Sequence, residues 1–314
     1  MDQIPALLEY RLLRDCRPTM TAVTRLRLND LKLPLDHAEQ ELREAVQAEL
    51  GVASDDLLAI DVYKRSYDAR KKTAIQLIYN LEVSLTESAY QRVLAAHAGS
   101  SKILPSLDTT YQFVAQAPQG FPLAGQQRPL IIGFGPCGIL AALVLAQMGL
   151  KPIVLERGQN VRIRTQDTWG LWRKKTLNTE SNVQFGEGGA GTFSDGKLWS
   201  QIQDKFHYGR KVLTEFVKAG APEEILFVSK PHIGTFKLVG MVEKMRAEII
   251  ALGGDIRFGS RVETLLREAG HAVGVRLASG EVLHSRHIVL AIGHSARDTF
   301  QMLFDAGVYI EAKP

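Results

Sequence analysis

The sequence predicts an α/β protein in which a parallel sheet with flanking helices carries a small antiparallel meander and is preceded by a smaller α+β unit. Three observations predict this fold. An apolar strand, a glycine turn, an apolar helix and a second strand follow one another in residues 129–158. Several short strands come later, and the last of them is continuously apolar. The N-terminal third alternates strands and helices in the order βαββαβ.

The first strand of the N-terminal unit is predicted over residues 23–28, where apolar and polar side chains alternate. A helix follows, for which Asp36 is the expected N-cap residue, with Glu39 reaching back in a capping box. Gly51 is expected to end this helix, because glycine commonly follows the last helical turn.

The second half of this unit is predicted as a hairpin, a helix and a last strand. The hairpin strands span residues 57–66 and 73–85, and the second keeps a strict alternation of apolar and polar residues. Thr86 is expected to cap a helix that runs to about His97, and residues 111–115 fit a short strand. The resulting βαββαβ order is that of a ferredoxin-like domain.

These elements predict four parts along the chain. Residues 1–19 form an N-terminal extension, and residues 20–116 form the ferredoxin-like domain. A linker rich in Pro, Gly and Gln follows at 117–127, and an α/β domain occupies 128–314.

The stretch 129–158 has the pattern of a dinucleotide-binding, Rossmann-like unit. Gly133, Gly135 and Gly138 have the G-x-G-x-x-G spacing between the strand at 130–132 and an apolar helix. The first glycine allows the tight turn, the second leaves room for a pyrophosphate, and the third lets the helix pack on the strand. The N-terminus of the helix would direct free N–H groups and a partial positive charge at the phosphates.

Glu156 strengthens this interpretation because of its position. It follows the second strand, at 153–155, about 20 residues beyond the glycines. A carboxylate there can accept both ribose hydroxyls and would repel a 2′-phosphate. An ordinary strand-turn-helix packing unit is the alternative, and it leaves this acid unexplained.

Further elements are predicted after this unit. Helices are expected at 208–219 and 236–252, short strands at 255–258, 261–266, 272–278 and 282–284, an apolar strand at 287–292, and a strand-like end at 308–311. Residues 167–182 show no clear period and are assigned no regular element. A parallel sheet interleaved with a small antiparallel meander is typical of flavin-binding dinucleotide domains.

A second G-x-G-x-x-G occurs at Gly186, Gly188 and Gly191, but no apolar helix and no terminal acid follow it. We interpret it as a loop whose exposed N–H groups and small side chains suit a pyrophosphate or a planar ring. A purely structural glycine loop is the alternative.

Composition limits the class of protein. With 314 residues, 45% hydrophobic and 23% charged, the chain is expected to be globular with two domains. It contains no apolar run long enough to span a bilayer and its start is not a secretory signal, so we predict a soluble, cytoplasmic protein with no membrane partner. The two cysteines, Cys16 and Cys137, are far apart, which excludes a zinc cluster and argues against a thiol-disulfide centre.

The formal charge of +4 is unevenly distributed. Residues 64–72, KRSYDARKK, hold five basic residues and one acid at a predicted hairpin tip. The tip is either an ordinary solvated loop or a docking surface for acidic or phosphate-rich partners.

Several motifs together resemble a known family. The GFGPCG turn, the following ERG, the GEGGAGTFSDGKL loop, KPHIGT and VLAIGHSARDTF are similar to the uncharacterised bacterial FAD-dependent dehydrogenases of the glutathione-reductase-like flavoprotein superfamily. The resemblance runs from about residue 20 to residue 314. It implies FAD as cofactor, bound by Gly133, Gly135, Pro136, Cys137, Gly138, Glu156, Arg157, Arg164, Gly189, Ala190, Gly191, Thr192, Ser194, Asp195, Val262, Ala291 and Gly293.

The resemblance also implies a role for some of these residues. Arg157 and Arg164 would flank the phosphates, Val262 would meet the adenine through its backbone, and residues 291–293 would close over the nucleotide. Members of this superfamily normally complete the flavin site with a late glycine-acid segment, and none follows Gly293. We therefore expect a longer protein whose C-terminal part is missing here.

The favoured function is that of an FAD-dependent oxidoreductase, a dehydrogenase that moves a hydride between a substrate carbon and flavin N5. The substrate would be a small molecule of unknown identity, with NADH or NADPH as a possible electron donor. Lys197 and His232 are the catalytic candidates, with Ser194, Asp195 and His294 as further acid-base groups. Two alternatives stay open, a flavin-dependent RNA-modifying enzyme that contacts phosphates through 64–72, and a non-catalytic nucleotide-binding or interaction module. No metal site is predicted.

Overall fold

The computed structural model describes residues 24–71, 73–199 and 202–312. An N-terminal antiparallel sheet with two helices is followed by a larger α/β part that contains a parallel and an antiparallel sheet. The predicted extension at 1–19 lies outside the described residues. None of the helices in the described ranges is long and apolar enough to cross a membrane.

The N-terminal part has the predicted βαββαβ element order. Its elements are β1 (Arg25–Pro34), α1 (Glu39–Leu50), β2 (Leu57–Asp68), β3 (Gln76–Leu85), α2 (Glu87–Ala96) and β4 (Ile103–Pro105). The strand order is β2-β3-β1-β4, and every neighbouring pair is antiparallel. Leu26, Leu28, Leu81 and Val83 bury one face of the sheet together with residues of both helices.

Two predictions about this part are wrong. The fourth strand lies at Ile103–Pro105, not at 111–115, and it pairs with Leu26–Leu28 of β1. Three residues are too few to display the alternation that marks a strand in sequence.

The predicted start of α1 is also wrong, because Ala38 and not Asp36 is the N-cap residue. The Glu41 carboxylate accepts the Ala38 N–H at 3.2 Å, so the reaching-back acid is Glu41 rather than Glu39. Thr86 does occupy the N-cap position of α2, but its hydroxyl donates to Asp56.

The α/β part contains the remaining elements. They are β5 (Leu130–Ile132), α3 (Pro136–Gln147), β6 (Ile153–Leu155), α4 (Val161–Lys174), α5 (Tyr208–Lys218), α6 (Thr235–Ala251), β7 (Asp255–Arg257), β8 (Val262–Glu268), β9 (His271–Leu277), β10 (Val282–His284), β11 (Ile288–Leu290) and α7 (Arg297–Asp305). The parallel sheet has the order β11-β5-β6-β7, and the antiparallel sheet has the order β10-β9-β8. A parallel sheet with flanking helices and a small antiparallel meander is therefore confirmed.

The sequence missed two helices in this part and placed one strand wrongly. The buried stripe of α4 is Val161, Arg164 and Thr168, which has helical spacing but two polar members, so counting apolar residues did not find it. Helix α7 lies where no helix was predicted, and residues 308–311 form no strand.

The parallel sheet forms the middle layer of this part. Ile131 and Val154 point to one face and pack with α3, α5 and α6. Leu130 and Leu155 point to the other face and pack with the meander. The central strands β5 and β6 are thus buried on both faces, as their continuous apolar sequence requires.

The two parts meet at the edge of the N-terminal sheet. On β2, the Arg65 N–H donates to the Phe227 carbonyl at 2.6 Å, and the Arg65 carbonyl accepts the Ser229 N–H at 3.0 Å. The predicted linker packs partly on the α/β part, because Phe121 is buried against Met148 and Leu150. Leu123, by contrast, is exposed.

We propose that residues 20–116 fold independently, since their core is closed within the N-terminal sheet and its helices. Limited proteolysis should cut at 122–127, beyond the anchored Phe121, and the 20–116 fragment should unfold cooperatively by circular dichroism. Within that fragment Leu81→Ala should cost about 2–5 kcal/mol because it empties a fully buried site. Leu58→Ala, at an exposed position of β2, is the control and should change little. Non-cooperative melting of the wild-type fragment would contradict the boundary.

Candidate functional site

A cleft of about 440 Å³ opens where β5, β6 and β11 end. Its wall includes the last residues of these strands, Ile132, Leu155 and Leu290, together with the glycine turn before α3 and the start of α7. Ligands of parallel α/β sheets bind at the carboxyl ends of the strands, so the cleft lies where the sequence predicted a dinucleotide.

The three glycines of the fingerprint are required for different reasons. A Cβ on Gly133 would lie 2.4 Å from the Ala291 carbonyl oxygen, and one on Gly138 would lie 2.0 Å from the Gly133 oxygen. Both glycines are therefore required by the packing of the chain. A Cβ on Gly135 would meet nothing closer than the Gly189 Cα, at 3.7 Å. Among the described residues nothing requires glycine at 135, and the residue lines the cleft.

The second glycine cluster lies directly on the first. The Gly188 N–H donates to the Phe134 carbonyl at 2.9 Å, and Gly189 contacts Gly135. A Cβ on Gly158 would lie 2.6 Å from the Gly186 Cα, so these backbones also approach without side chains. The cluster thus forms a second wall beside the fingerprint turn.

At least four backbone N–H groups of these two turns have no acceptor within the part of the chain that the structure describes. Cys137 and Gly138 supply two of them from the first turn of α3, and Ala190 and Gly191 supply two from the second loop. Cys137 and Ala190 line the cleft, whereas Gly138 and Gly191 follow them directly in sequence and do not line it. N–H groups from a helix start and a neighbouring turn are an arrangement that binds anions.

Glu156 is buried, 4% exposed, at the end of β6 and lines the cleft. Its carboxylate accepts the Phe134 N–H at 2.7 Å and the Gly158 N–H at 2.8 Å. Each oxygen retains a further lone pair that can accept a ligand hydroxyl. Glu156 therefore fixes the turns that follow β5 and β6, in addition to any contact with a ligand.

Arg157 lines the cleft but has no free donor nitrogen. Its Nε and Nη2 donate to Glu180 at 2.9 and 3.2 Å, and its Nη1 donates to Asp298 at 2.9 Å. The guanidinium also lies 4.3 Å from the ring centre of Phe185. Arg157 thus ties the first turn of α7 to the loop before the second glycine cluster, and its charge is balanced by two carboxylates.

The predicted phosphate contact of Arg164 is wrong in this structure. Arg164 is fully buried, and its guanidinium donates to the carbonyls of Asn182, Glu187 and Val183 at 2.6–2.8 Å. Burial lowers its pKa to about 10. Arg164 does not line the cleft; it anchors the chain on both sides of Gly186.

Glu187 completes this anchor from the other side. Its buried carboxylate accepts the Val161 N–H at 2.7 Å and pairs with Arg246 at 2.7 Å. Burial raises the pKa of Glu187 above its usual range. The second loop is therefore held by buried polar groups rather than by apolar packing.

The other predicted cofactor residues divide into two groups. Pro136, Gly189, Val262, Ala291 and Gly293 line the cleft. Thr192, Ser194 and Asp195 do not. The Thr192 side chain is buried, the Ser194 hydroxyl donates to the Gly191 carbonyl, and Asp195 pairs with Lys197 at 3.5 Å, so these three stabilise the loop.

The catalytic candidates lie outside the cleft wall. Lys197 and His232 are paired through a β-bridge, and the Lys197 side chain is 80% exposed. His294 does line the cleft, and its Nε2 is 3.3 Å from the Ser295 hydroxyl.

Helix α7 contributes a part of the wall that sequence reasoning missed. Thr299, Phe300 and Leu303 of this helix line the cleft. Their i, i+1, i+4 spacing is the amphipathic signal that could have revealed the helix. Gln184 and Phe185, between the two glycine clusters, complete the wall.

Comparisons with known proteins place part of this chain. Residues 25–84 match a family described as a domain of unknown function, DUF8436. A Clostridium beijerinckii protein described as uncharacterized is 39% identical over 288 residues, which cover 92% of this chain and 52% of that protein. The chain therefore spans about half the length of this relative.

Two solved structures have limited similarity. Thermovibrio ammonificans THI4 is 16% identical, with 58% of this chain and 64% of that chain covered and a TM-score of 0.38. A Proteus vulgaris L-amino acid deaminase is 14% identical, with 62% and 59% covered and a TM-score of 0.38.

The glycine geometry predicts opposite phenotypes for two neighbouring substitutions. Gly135→Ala should leave the thermal midpoint unchanged, because the new methyl group meets only Gly189 at van der Waals distance. Gly138→Ala should lower it markedly, because the Cβ would overlap the Gly133 carbonyl. Differential scanning calorimetry checks both. A destabilised Gly135→Ala would show that this glycine is needed for packing.

The anchoring role of Arg164 predicts a large loss of stability for Arg164→Met. The substitution leaves three buried carbonyls without donors, and we expect a cost of about 3–5 kcal/mol in urea denaturation. Arg162→Met, two residues away on α4, is the matched control. Arg162 forms an exposed pair with Glu243, so its removal should leave the urea midpoint nearly unchanged. Equal midpoints for the two variants would contradict the assigned role.

Proposed function

We propose that the cleft binds FAD and that this chain is the nucleotide-binding part of a flavin-dependent oxidoreductase. One observation carries the proposal. Four N–H groups without an acceptor among the described residues, those of Cys137, Gly138, Ala190 and Gly191, come from two turns in contact at Gly135. A dinucleotide pyrophosphate supplies the acceptors, and its approach accounts for a glycine that the chain itself does not need.

The residues present fit the ADP half of FAD. The pyrophosphate would accept the four N–H groups, and the remaining lone pairs of Glu156 would accept the ribose hydroxyls. Val262 and the α7 residues Phe300 and Leu303 would form an apolar wall for the adenine. The proposed family is that of the FAD-dependent dehydrogenases that the sequence resembles.

The reaction proposed is transfer of a hydride between a carbon of a small-molecule substrate and flavin N5. NADH or NADPH would be the donor that reduces the flavin where the substrate is the hydride acceptor. When bound, FAD supplies the hydride-accepting position at N5. We propose Lys197 and His232 as proton-transfer groups, because their β-bridge places both backbones beside the loop that supplies Ala190 and Gly191. Since the chain spans about half of its relative, this activity is proposed for the longer protein.

An RNA-modifying role receives less support from the basic segment 64–72. Within the described residues of this segment, the Arg65 backbone is engaged by Phe227 and Ser229. Asp68 pairs with Arg70 at the tip, which lowers the positive charge presented there. Lys72 lies outside the described residues.

Calorimetry with FAD, ADP and FMN tests the proposal. We expect ADP to bind nearly as well as FAD. FMN should bind much more weakly, because it lacks the AMP moiety and keeps only one of the two phosphates. Gly135→Ala should weaken the binding of both ADP and FAD while the fold is retained.

The proposal would be overturned if neither ADP nor FAD bound to the wild-type chain. FAD binding a hundredfold tighter than ADP would require about 2.7 kcal/mol of ring contacts and contradict the assignment to the ADP half alone.

The thiol of Cys137 provides an independent report of where the nucleotide binds. Cys137 is exposed at the start of α3 and lines the cleft. In a Cys16→Ser background, ADP at ten times its Kd should slow the reaction of Cys137 with a thiol reagent about tenfold. AMP, without the second phosphate, is the control and should protect less. An unchanged rate with saturating ADP would exclude the helix start as the phosphate site.

A further inference from the structure

A second cavity, of about 890 Å³, lies between the two parts of the chain. One wall is the helix-free face of the N-terminal sheet, which carries Asp61, Tyr63 and Glu82. The opposite wall consists of the segment 106–110, Arg210 on α5, and residues of 223–227. Its volume lies within the range of small-molecule sites.

The charges of the cavity wall are only partly balanced. Asp61 pairs with Arg25 at 2.6 Å, and Glu82 pairs with Arg27. Two carboxylates of the lining, Asp108 and Glu223, and one guanidinium, that of Arg210, form no ion pair with any described residue.

The three unpaired groups have different local contacts. Asp108 accepts the Thr110 N–H at 2.9 Å, which stabilises its charged form and lowers its pKa. Arg210 donates to the Leu226 carbonyl and lies 5.1 Å from the centre of the Tyr63 ring. The Glu223 carboxylate accepts no hydrogen bond from the described residues. The wall thus has an excess of negative charge and one cation held in place.

This charge distribution selects the class of ligand. An anion such as a phosphate would be repelled by the two carboxylates, and a simple cation would leave Arg210 without a partner, whereas a ligand that carries both charges can pair with all three groups. We propose that the cavity binds a free amino acid as its zwitterion. Its ammonium group would face Asp108 and Glu223, its carboxylate would face Arg210, and its side chain would lie against Val62, Leu226 or Phe227.

The cavity wall is connected to the proposed proton-transfer groups. Phe227 lines the cavity, and its carbonyl accepts the Arg65 N–H. The same segment continues to His232, which forms the β-bridge with Lys197. The binding site does not rest on the proposed nucleotide function.

The binding site is tested by calorimetry of the 314-residue chain with each of the twenty proteinogenic L-amino acids. We expect at least one to bind with a Kd below 10 mM. Two derivatives of that amino acid should each bind at least tenfold more weakly, the N-acetyl form because it lacks the ammonium group and the amide because it lacks the carboxylate. No binding by any of the twenty, or equal binding of the derivatives, would overturn the proposal.

Two substitutions locate the site. Glu223→Gln and Arg210→Gln should each weaken binding of the amino acid about ten- to a hundredfold, as expected for loss of one charged partner. Glu248→Gln, at an exposed position on α6, is the control and should not change it. Circular dichroism verifies that each variant is folded. Unchanged affinity in both folded cavity variants would overturn the assignment.

Titration of ADP into Glu223→Gln separates this proposal from the nucleotide site. The ADP affinity should equal that of the wild-type chain, because Glu223 does not line the nucleotide cleft. In the wild-type chain, failure of amino-acid binding with intact ADP binding would refute only the second site. Absence of ADP binding to the wild-type chain together with amino-acid binding would refute only the proposed nucleotide function.

Discussion

The contact between two glycine turns is the constraint on which the candidate site depends. Gly158 faces Gly186 at a distance where a Cβ would overlap the backbone, whereas Gly135 faces Gly189 at a distance that a Cβ on Gly135 would tolerate. The second loop has little apolar packing of its own. Its position is instead fixed by Arg164, whose three nitrogens each satisfy a carbonyl, and by the buried carboxylate of Glu187. A buried guanidinium with all its nitrogens bonded defines one geometry, since any displacement would leave buried polar groups unpaired.

The sequence predicted those parts of the fold in which local pattern and burial agree. Residues 130–132 and 153–155 are buried on both faces and read as continuous apolar strands, and the glycine spacing between them required one turn geometry. The prediction failed where the buried side chains are polar. Helix α4 buries Arg164 and Thr168 on its inner face, so its helical period cannot be found by counting apolar residues. Strand β4 has only three residues, and its position depends on pairing with β1, a long-range contact that local patterns do not contain.

The sequence likewise indicated some residues of the candidate site and not others. Glu156 and the fingerprint glycines were found because their spacing has a physical cause within one βαβ unit. Arg164 was assigned to the phosphates by the resemblance to the FAD-dependent dehydrogenases. Nothing in the sequence indicates that the Arg164 guanidinium would donate to backbone carbonyls between residues 182 and 187. These hydrogen bonds depend on the path of the second glycine loop in the folded chain. The wall formed by α7 was missed because its residues lie more than 130 positions from the fingerprint turn.

The position of the arginines determines how the cleft would bind an anion. Arg157 is neutralised by Glu180 and Asp298, and Arg164 is enclosed by carbonyls, so neither offers a free charge to the cleft. A pyrophosphate would be bound by backbone N–H dipoles and by the N-terminus of α3. Such donors are fixed by the fold and cost no side-chain entropy when they bind. They are also short-range, so affinity depends on how closely the phosphate approaches Gly135 rather than on the net charge of the protein. This explains why the packing of two glycine turns, rather than a cluster of basic residues, defines the site.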